Sequence, residues 1–527
     1  MSTSIAAQPP LMSSDPVKAS RSSVQSLSPI VAQQTVSSTT EPLSSSKPLI
    51  DGQLMYAAQD SSLLTDLYQL TMAACYVGEG LDQRRASFEL FTRRLPDNFG
   101  YLVAMGLEQA LTYLEHFSFD AAQIEALQAS GIFTHAPDRF WSLLAEARFE
   151  GDVWAVPEGT IVFANEPLLR VEAPLWQAQI VETYLLNTLN YQTLIATRAA
   201  RLRDVAGAQA TLFEFGTRRA FSPQASLWAA RAALAAGLDA TSNVLAALKL
   251  GRKPVGTMAH SLVMALSATE GTEAQAFTAF HRYFPGAPLL IDTYDTIAAA
   301  KHLADKLQQH KTELAGVRID SGDLAVLSQQ VRQLLPDVPI FASGDLDEYK
   351  ITQLKATGAC IDGYGLGTQL VTGAPVNGVY KLVEIDGIPV MKEATGKVSY
   401  PGRKQIFRCY EEGQVVSDCL GLMAESEQSA SSSQRAAVSG QESVERPPDT
   451  FTGEQALMQL VMKQGQQLYA PETLETIAQR TAHSVATLPA TARQIHDPLS
   501  ISVEPSTALL NLIAKTQQRR QNSQVMF

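Results

Sequence analysis

Six short apolar runs recur between Thr211 and Gly365: "TLFEF", "KPVGT", "PLLID", "AGVRID", "VPIFAS" and "IDGYG". Most are followed by a stretch with helical periodicity, such as "AVLSQQVRQLL" or "LDEYKITQLKATG". Alternation of buried strand and crossover helix leaves few options. Strands joined by helices run parallel, and a parallel sheet must be covered on both faces. The expected centre of the chain is therefore an α/β barrel.

Each run also ends in polar residues. "TLFEFGTRR" ends at Glu214 to Arg219, "KPVGTMAH" at Thr257 and His260, and "PLLIDTYD" at Asp292. "AGVRIDSGD" ends at Arg318, Asp320 and Asp323, "VPIFASGD" at Ser343 to Asp345, and "IDGYGLGT" at Gly365, Gly367 and Thr368. In a parallel barrel these ends meet on one face, where such folds carry their chemistry. Each residue taken alone has a plainer reading. Asp295 and Asp323 read as caps of the helices that follow them. Arg219 reads equally as a solvated side chain. His260 alone reads as a helix-end or core histidine, and only the acids and glycines around it favour a site. "GYGLGT" has the spacing of a dinucleotide fingerprint but lacks the early strand–helix–strand context, so a nest of N–H groups around one phosphate fits better.

Outside this centre the texture changes. "ASFELFTRRLP" and "EGDVWAVPEGTIVFANEPLLRVEAP" read as strands of a β-rich domain, preceded by a helix in "LLTDLYQLTMAACYVGEG". "KLVEIDGIPVMKEATGKVSYPGRKQIFRCY" returns to hairpins. The expected organisation is a disordered tail over 1–55 and the first part of the β-rich domain over 56–180. The barrel covers 181–378, and the return to the β-rich domain covers 379–424. A disordered insertion over 425–450 and a C-terminal helical segment over 451–527 complete it, the latter including "GEQALMQLVMKQGQQLY".

Composition narrows the function. A net charge of −12 argues against nucleic acid as the main partner. The four cysteines form no CxxC pair, which argues against zinc and for thiols in a reducing compartment. No apolar run reaches the length of a membrane span, and no signal-peptide core is seen, so a cytoplasmic protein is expected. The acid-poor first residues leave an organelle transit peptide open.

"LLTDLYQLTMA", "FELFTRRLP", "FEFGTRRA", "GTMAHS", "IDTYDT", "VRIDSGDL", "GLGTQLVTG" and "PGRKQIFR" together resemble the nicotinate phosphoribosyltransferase family, over about Leu63 to Tyr410. The resemblance implies a type II phosphoribosyltransferase fold, an irregular α/β barrel with a β-rich domain formed from both chain ends. It implies the formation of nicotinate mononucleotide and diphosphate from nicotinate and phosphoribosyl diphosphate, coupled to ATP hydrolysis. This would be the first step of NAD salvage from nicotinate. It also implies a homodimer with active sites shared between subunits.

Site roles follow the matched motifs. Arg318 would hold the nicotinate carboxylate and Thr257 would donate a hydrogen bond to it. Tyr68, reaching across the dimer, and Phe215 would stack on the ring. Arg218 would touch diphosphate or ring, and Gly344, Gly365, Gly367 and Thr368 would take the 5′-phosphate. His260 would be phosphorylated by ATP. Asp292 and Asp320 would face the sugar and its Mg2+ ion. The nearest alternative is nicotinamide phosphoribosyltransferase, whose ring site carries a carboxylate; the nearest counterpart here is Ser242. A catalytically silent nucleotide-binding relative would lack His260, Asp320 or the "GLGT" loop, and all are present.

Overall fold

In a computed structural model, residues 56–309, 314–394, 397–425 and 453–524 are described. The tail over 1–55 and nearly all of the 425–450 segment lie outside the described residues.

Six parallel strands form the central sheet: β1 (Thr211–Glu214), β2 (Ala240–Thr241), β3 (Leu289–Leu290), β4 (Val317–Ile319), β5 (Ile340–Ala342) and β6 (Gly363–Leu366). They lie in the order β2-β1-β6-β5-β4-β3. Five of the six expected runs are among them. The sixth, "KPVGT", is not a paired strand, and the sheet holds instead an unexpected short strand, β2 in "DATS", beside β1. Pro254 has no N–H to give, so the extended stretch 253–257 cannot sustain a ladder. It crosses between β2 and β3 on isolated contacts. Val255 N–H donates to Thr241 O (3.0 Å), and Thr257 Oγ1 donates to Pro288 O (2.6 Å). The barrel thus has one seam without a ladder.

Alternation along the strands decides what fills the barrel. Val317 and Ile319, and likewise Ile340, pack outward in a small apolar core with Val263, Phe277 and Ala300. Leu212, Ala342, Tyr364 and Leu366 belong to the larger core. The intervening residues, Phe213, Arg318, Phe341, Gly363 and Gly365, therefore face inward. The two glycines make room for aromatic rings. A Cβ on Gly365 would lie 2.6 Å from the Phe215 ring, and one on Gly363 would lie 2.8 Å from the Phe341 ring.

A seven-stranded sheet joins chain segments from both sides of the barrel. Its strand Arg85–Thr92 pairs antiparallel with the central strand Pro167–Pro174 on one edge and with Gly378–Ile385 on the other. Asp152–Ala155 pairs with Gln459–Lys463. That last pairing corrects a sequence expectation, since 453–467 is not helical. It forms strands Gly453–Ala456, Gln459–Lys463 and Gln466–Gln467. Gln464 and Gly465 both have positive φ (49° and 76°), as a two-residue hairpin turn requires. Helix propensity in "EQALMQLVMKQ" yields there to the turn and to pairing with the sheet. Helices Leu474–Ala486 and Thr507–Gln524 follow.

The "PGRKQIFR" motif stitches these β layers together. Lys404 is buried with Glu89 (2.7 Å), and the Arg170 Nη1 group donates to Lys404 O (2.6 Å). Arg408 meets the buried Asp418 at 2.6 Å, and Arg403 reaches Glu172 and Glu384. Breaking such a pair strands a buried charge. Arg408→Ala is therefore expected to cost about 3 kcal/mol of stability. Chemical denaturation would measure this cost, with turnover per folded molecule unchanged.

Candidate active site

Two groups of residues meet in the barrel, one lining its interior toward the N-terminal ends of the strands at Lys253, Pro288 and Ala315, the other at the C-terminal ends. The first lines a cavity of about 720 Å³ inside the barrel. Phe215, Thr257, Arg318 and Gly365, four of the residues singled out from sequence, line it together with Phe213 and Phe341. The Phe213 and Phe215 rings are nearly parallel, 5.7 Å apart with 10° between planes, and form a flat wall. Arg318 enters this apolar space because it alternates with Val317 and Ile319. Burial lowers its pKa, Asp320 and Asp292 act the other way, and the nearby Arg218 charge adds to the lowering. Its side chain is 16% exposed, and its buried Nε has no hydrogen-bond partner. Among the described residues lining the cavity there are two cations, Arg318 and Lys253, and no carboxylate. Such a cavity suits a flat anion.

The second group is acidic and joins the first through Arg318, whose Nη2 lies 3.9 Å from Asp320 Oδ1. Asp320 Oδ1 also accepts from Ser343 Oγ (2.5 Å). Asp292 follows β3, and its side chain is only 2% exposed. Its Oδ2 accepts from the Asp320 N–H (2.9 Å) and from Ser321 Oγ (2.6 Å), so one carboxylate fixes the turn that presents the other. Asp292 Oδ1 is buried without a hydrogen-bond partner and lies 3.9 Å from His260 Nε2. His260 is the first residue of helix His260–Glu270, with its ring 38% exposed. Its Nδ1 lies 3.1 Å from Thr293 Oγ1. Glu273 stands near the same acids; burial, then the charges of Asp292 and Asp295, push its pKa up to about 7. Thr293, Ser321 and Glu273 were not singled out in the sequence, because nothing in their spacing separates them from loop and cap residues.

Gly344 has φ +101°, and a Cβ there would lie 2.2 Å from Asp320 O, so only glycine fits this approach. Gly365 is a ladder residue of β6, paired with Phe213. The chain leaves the sheet at Gly367, which precedes the short helix Thr368–Val371. The Thr257 hydroxyl is already committed to Pro288 O. Tyr68 is 48% exposed on helix Leu67–Gly78, beside Asp66 and Glu182, and is not among the cavity residues. Ser242 gives its N–H to Glu214 O and is likewise not among the cavity residues.

Several strand-end polar residues have structural work instead. Glu214 is fully buried, and its two oxygens accept from the Gly216 N–H and the Thr241 hydroxyl, at 2.5 Å each. Asp295 caps its helix through the N–H groups of Ile297 and Ala298, and Asp323 caps the next through those of Ala325 and Val326. Asp323→Ala is accordingly expected to lower stability by about 1 kcal/mol, read by thermal unfolding, and to leave turnover intact.

The comparisons with known proteins agree along the chain. Family models described as the N-terminal domain, the family region and the C-terminal domain of nicotinate phosphoribosyltransferase match residues 63–190, 210–340 and 403–513. A nicotinate phosphoribosyltransferase of Mycobacterium tuberculosis is 43% identical over 370 residues, covering 68% of this chain and 78% of that one. One from Bacillus subtilis is 42% identical over 392 residues, covering 69% and 77%. A crystal structure of human nicotinic acid phosphoribosyltransferase superposes with a TM-score of 0.71 at 29% identity, covering 86% of this chain and 99% of that one.

Proposed function

From the premise that this chain belongs to the nicotinate phosphoribosyltransferase family, we infer how its site joins nicotinate to the phosphoribosyl group of phosphoribosyl diphosphate. The reading rests on one observation above the others. A cavity with a stacked aromatic wall and a half-orphaned arginine, and no carboxylate among its described lining residues, opens beside two aspartates and a histidine.

The nucleophile needs no base, because the pyridine nitrogen already has a free lone pair. That pair forms the bond to ribose C1 while the bond from C1 to the diphosphate oxygen breaks, and its electrons leave with diphosphate. Arg318 holds the ring's carboxylate with a forked guanidinium, and Phe215 stacks on the ring. Thr257 can donate to the carboxylate only by giving up Pro288 O. Tyr68 would complete the ring site from the second subunit of a homodimer, which accords with its exposure here. Asp292 and Asp320 face the sugar, where positive charge builds up, and Arg218 faces diphosphate or ring. Fixed charges of this kind stabilise the transition state without reorganising. The 5′-phosphate fits the loop at Gly367 and Thr368, with Gly365 below it and Gly344 closing from the adjacent loop.

The donor set also fits Mg2+. Asp292 Oδ1 is an unpartnered carboxylate oxygen, although no group of three or more His, Cys, Asp or Glu among the described residues could enclose a metal. Two carboxylates suit an ion that keeps most of its waters and binds diphosphate oxygens. When bound, it would offset the negative charge of the leaving group.

His260 links the site to ATP. In the tautomer with the proton on Nε2, which lies 3.9 Å from Asp292 Oδ1, the lone pair is left on Nδ1, 3.1 Å from the Thr293 hydroxyl. Nδ1 attacks the γ-phosphorus and ADP leaves. Water later takes the phosphoryl group, so ATP hydrolysis is coupled to turnover. A cytoplasmic location accords with four free thiols. The test combines nicotinate or nicotinamide with γ-labelled ATP. Nicotinate-dependent turnover with acid-labile label on the protein is expected. Turnover of nicotinamide in preference to nicotinate would overturn the ring assignment, and absence of label would overturn the role of His260.

A further inference from the structure

Arg318 shares its cavity with a second cation that the reaction described above does not use. Lys253 lines the same space but stands at its exposed rim, with Gly256 and Phe284, whereas Arg318 lies inside. The rim position is held by the backbone. Pro254 stiffens the chain next to Lys253, and Val255 N–H is tied to Thr241 O across the seam. The preceding residue, Arg252, is taken up by Glu475. Among the described residues, the Lys253 ammonium makes no ion pair or hydrogen bond. Beside it, Phe280 and Phe284 form a ring pair with centroids 5.2 Å apart, and Phe284 is 58% exposed.

We propose that Lys253 is a specificity-determining residue, which captures the anionic ring at the cavity mouth and passes it inward to Arg318. The proposal rests on the functional reading above and deepens it. The chain as a whole carries a net charge of −12, so its long-range field repels an anionic substrate. A lone cation on a low-dielectric rim reverses that field where it matters, because field lines concentrate at the mouth of an apolar cavity. A neutral pyridine amide of the same shape gains nothing from it. Preference for the anion then has two stages: an entry stage at Lys253 and a binding stage at Arg318.

The test uses Lys253→Met, Lys253→Glu and Lys253→Arg in the full chain, with nicotinate and nicotinamide as isosteric anionic and neutral rings. A unit charge about 6 Å from the entering carboxylate in water implies a loss in kcat/KM for nicotinate of about 3-fold for Lys253→Met and about 10-fold for Lys253→Glu at low salt. The loss should fall on KM and fade toward 0.5 M salt, a concentration chosen to shorten the screening length to about 4 Å. Arginine should restore capture, and the kinetics with nicotinamide should not move. Any one of three results would overturn the proposal: no loss, a loss that salt leaves unchanged, or an equal loss for nicotinamide. A wild-type preference for nicotinamide would instead sink the functional reading itself, so the two failures are distinguishable.

Discussion

His260→Ala is expected to leave an enzyme that still makes nicotinate mononucleotide slowly but no longer gains from ATP. The neutral imidazole is the nucleophile assigned to the γ-phosphate. Without it, coupled ATP hydrolysis should fall by about 100-fold or more. The apparent KM for phosphoribosyl diphosphate should rise about 10-fold, because the phosphorylated state is no longer available to hold it. Transfer itself should persist, since the ring nitrogen, Arg318 and the two aspartates remain. Initial rates with and without ATP separate these effects. A variant that ATP stimulates as strongly as it does the wild type would exclude this role for His260. Thr293→Val should act in the same direction but more weakly, because Asp292 still orients the ring.

Arg318→Ala should damage a different quantity. The guanidinium is mostly buried and has an unpartnered Nε, so its lost bonds to the substrate carboxylate are worth about 2–3 kcal/mol. That corresponds to roughly a 30- to 150-fold rise in KM for nicotinate, with phosphoribosyl diphosphate affected far less. Lysine at this position should recover only part, since it keeps the charge but not the fork. Equal losses for both substrates would point instead to general damage. A second readout guards against that explanation. In the free enzyme Arg318 is a buried cation with incomplete compensation, and burial already lowers its pKa. Arg318→Met should therefore unfold at the same temperature as the wild type or higher. Activity would fall while stability held.

How much of this is legible in the sequence depends on how local the signal is. Strand ends were legible, because a short apolar run stopping at Asp or Arg is visible along the chain. Five of the six runs became strands of the parallel sheet. The family resemblance supplied roles that spacing alone left open, above all for His260. What the sequence hid depends on contacts distant in sequence. "KPVGT" looks like its neighbours, yet the imino acid and the missing partner leave it unladdered. The strand Gln459–Lys463 was hidden behind residues that favour helices, although the Gln464–Gly465 turn was there to be seen. The inward aromatic layer needed the strand registers, because only they show that Phe213, Phe341 and Arg318 share one side. Thr293 and Ser321 are ordinary loop residues until their hydroxyls are found against His260 and Asp292 respectively. In the other direction, Glu214 and Asp323 have the right type and place for chemistry, but they accept from backbone N–H groups and, for Glu214, from the Thr241 hydroxyl as well.

The unladdered seam also has an evolutionary reading. Arg318 is woven between Phe341 and Leu290, so any replacement there is felt by both neighbouring strands. The stretch from Lys253 to Gly256 touches its neighbouring strands at few points. Mutations can accumulate along it while the sheet stays whole. A lineage under pressure to accept a different pyridine would find its cheapest changes in that stretch, where a new charge or a bulkier side chain resets the gate before it disturbs the scaffold.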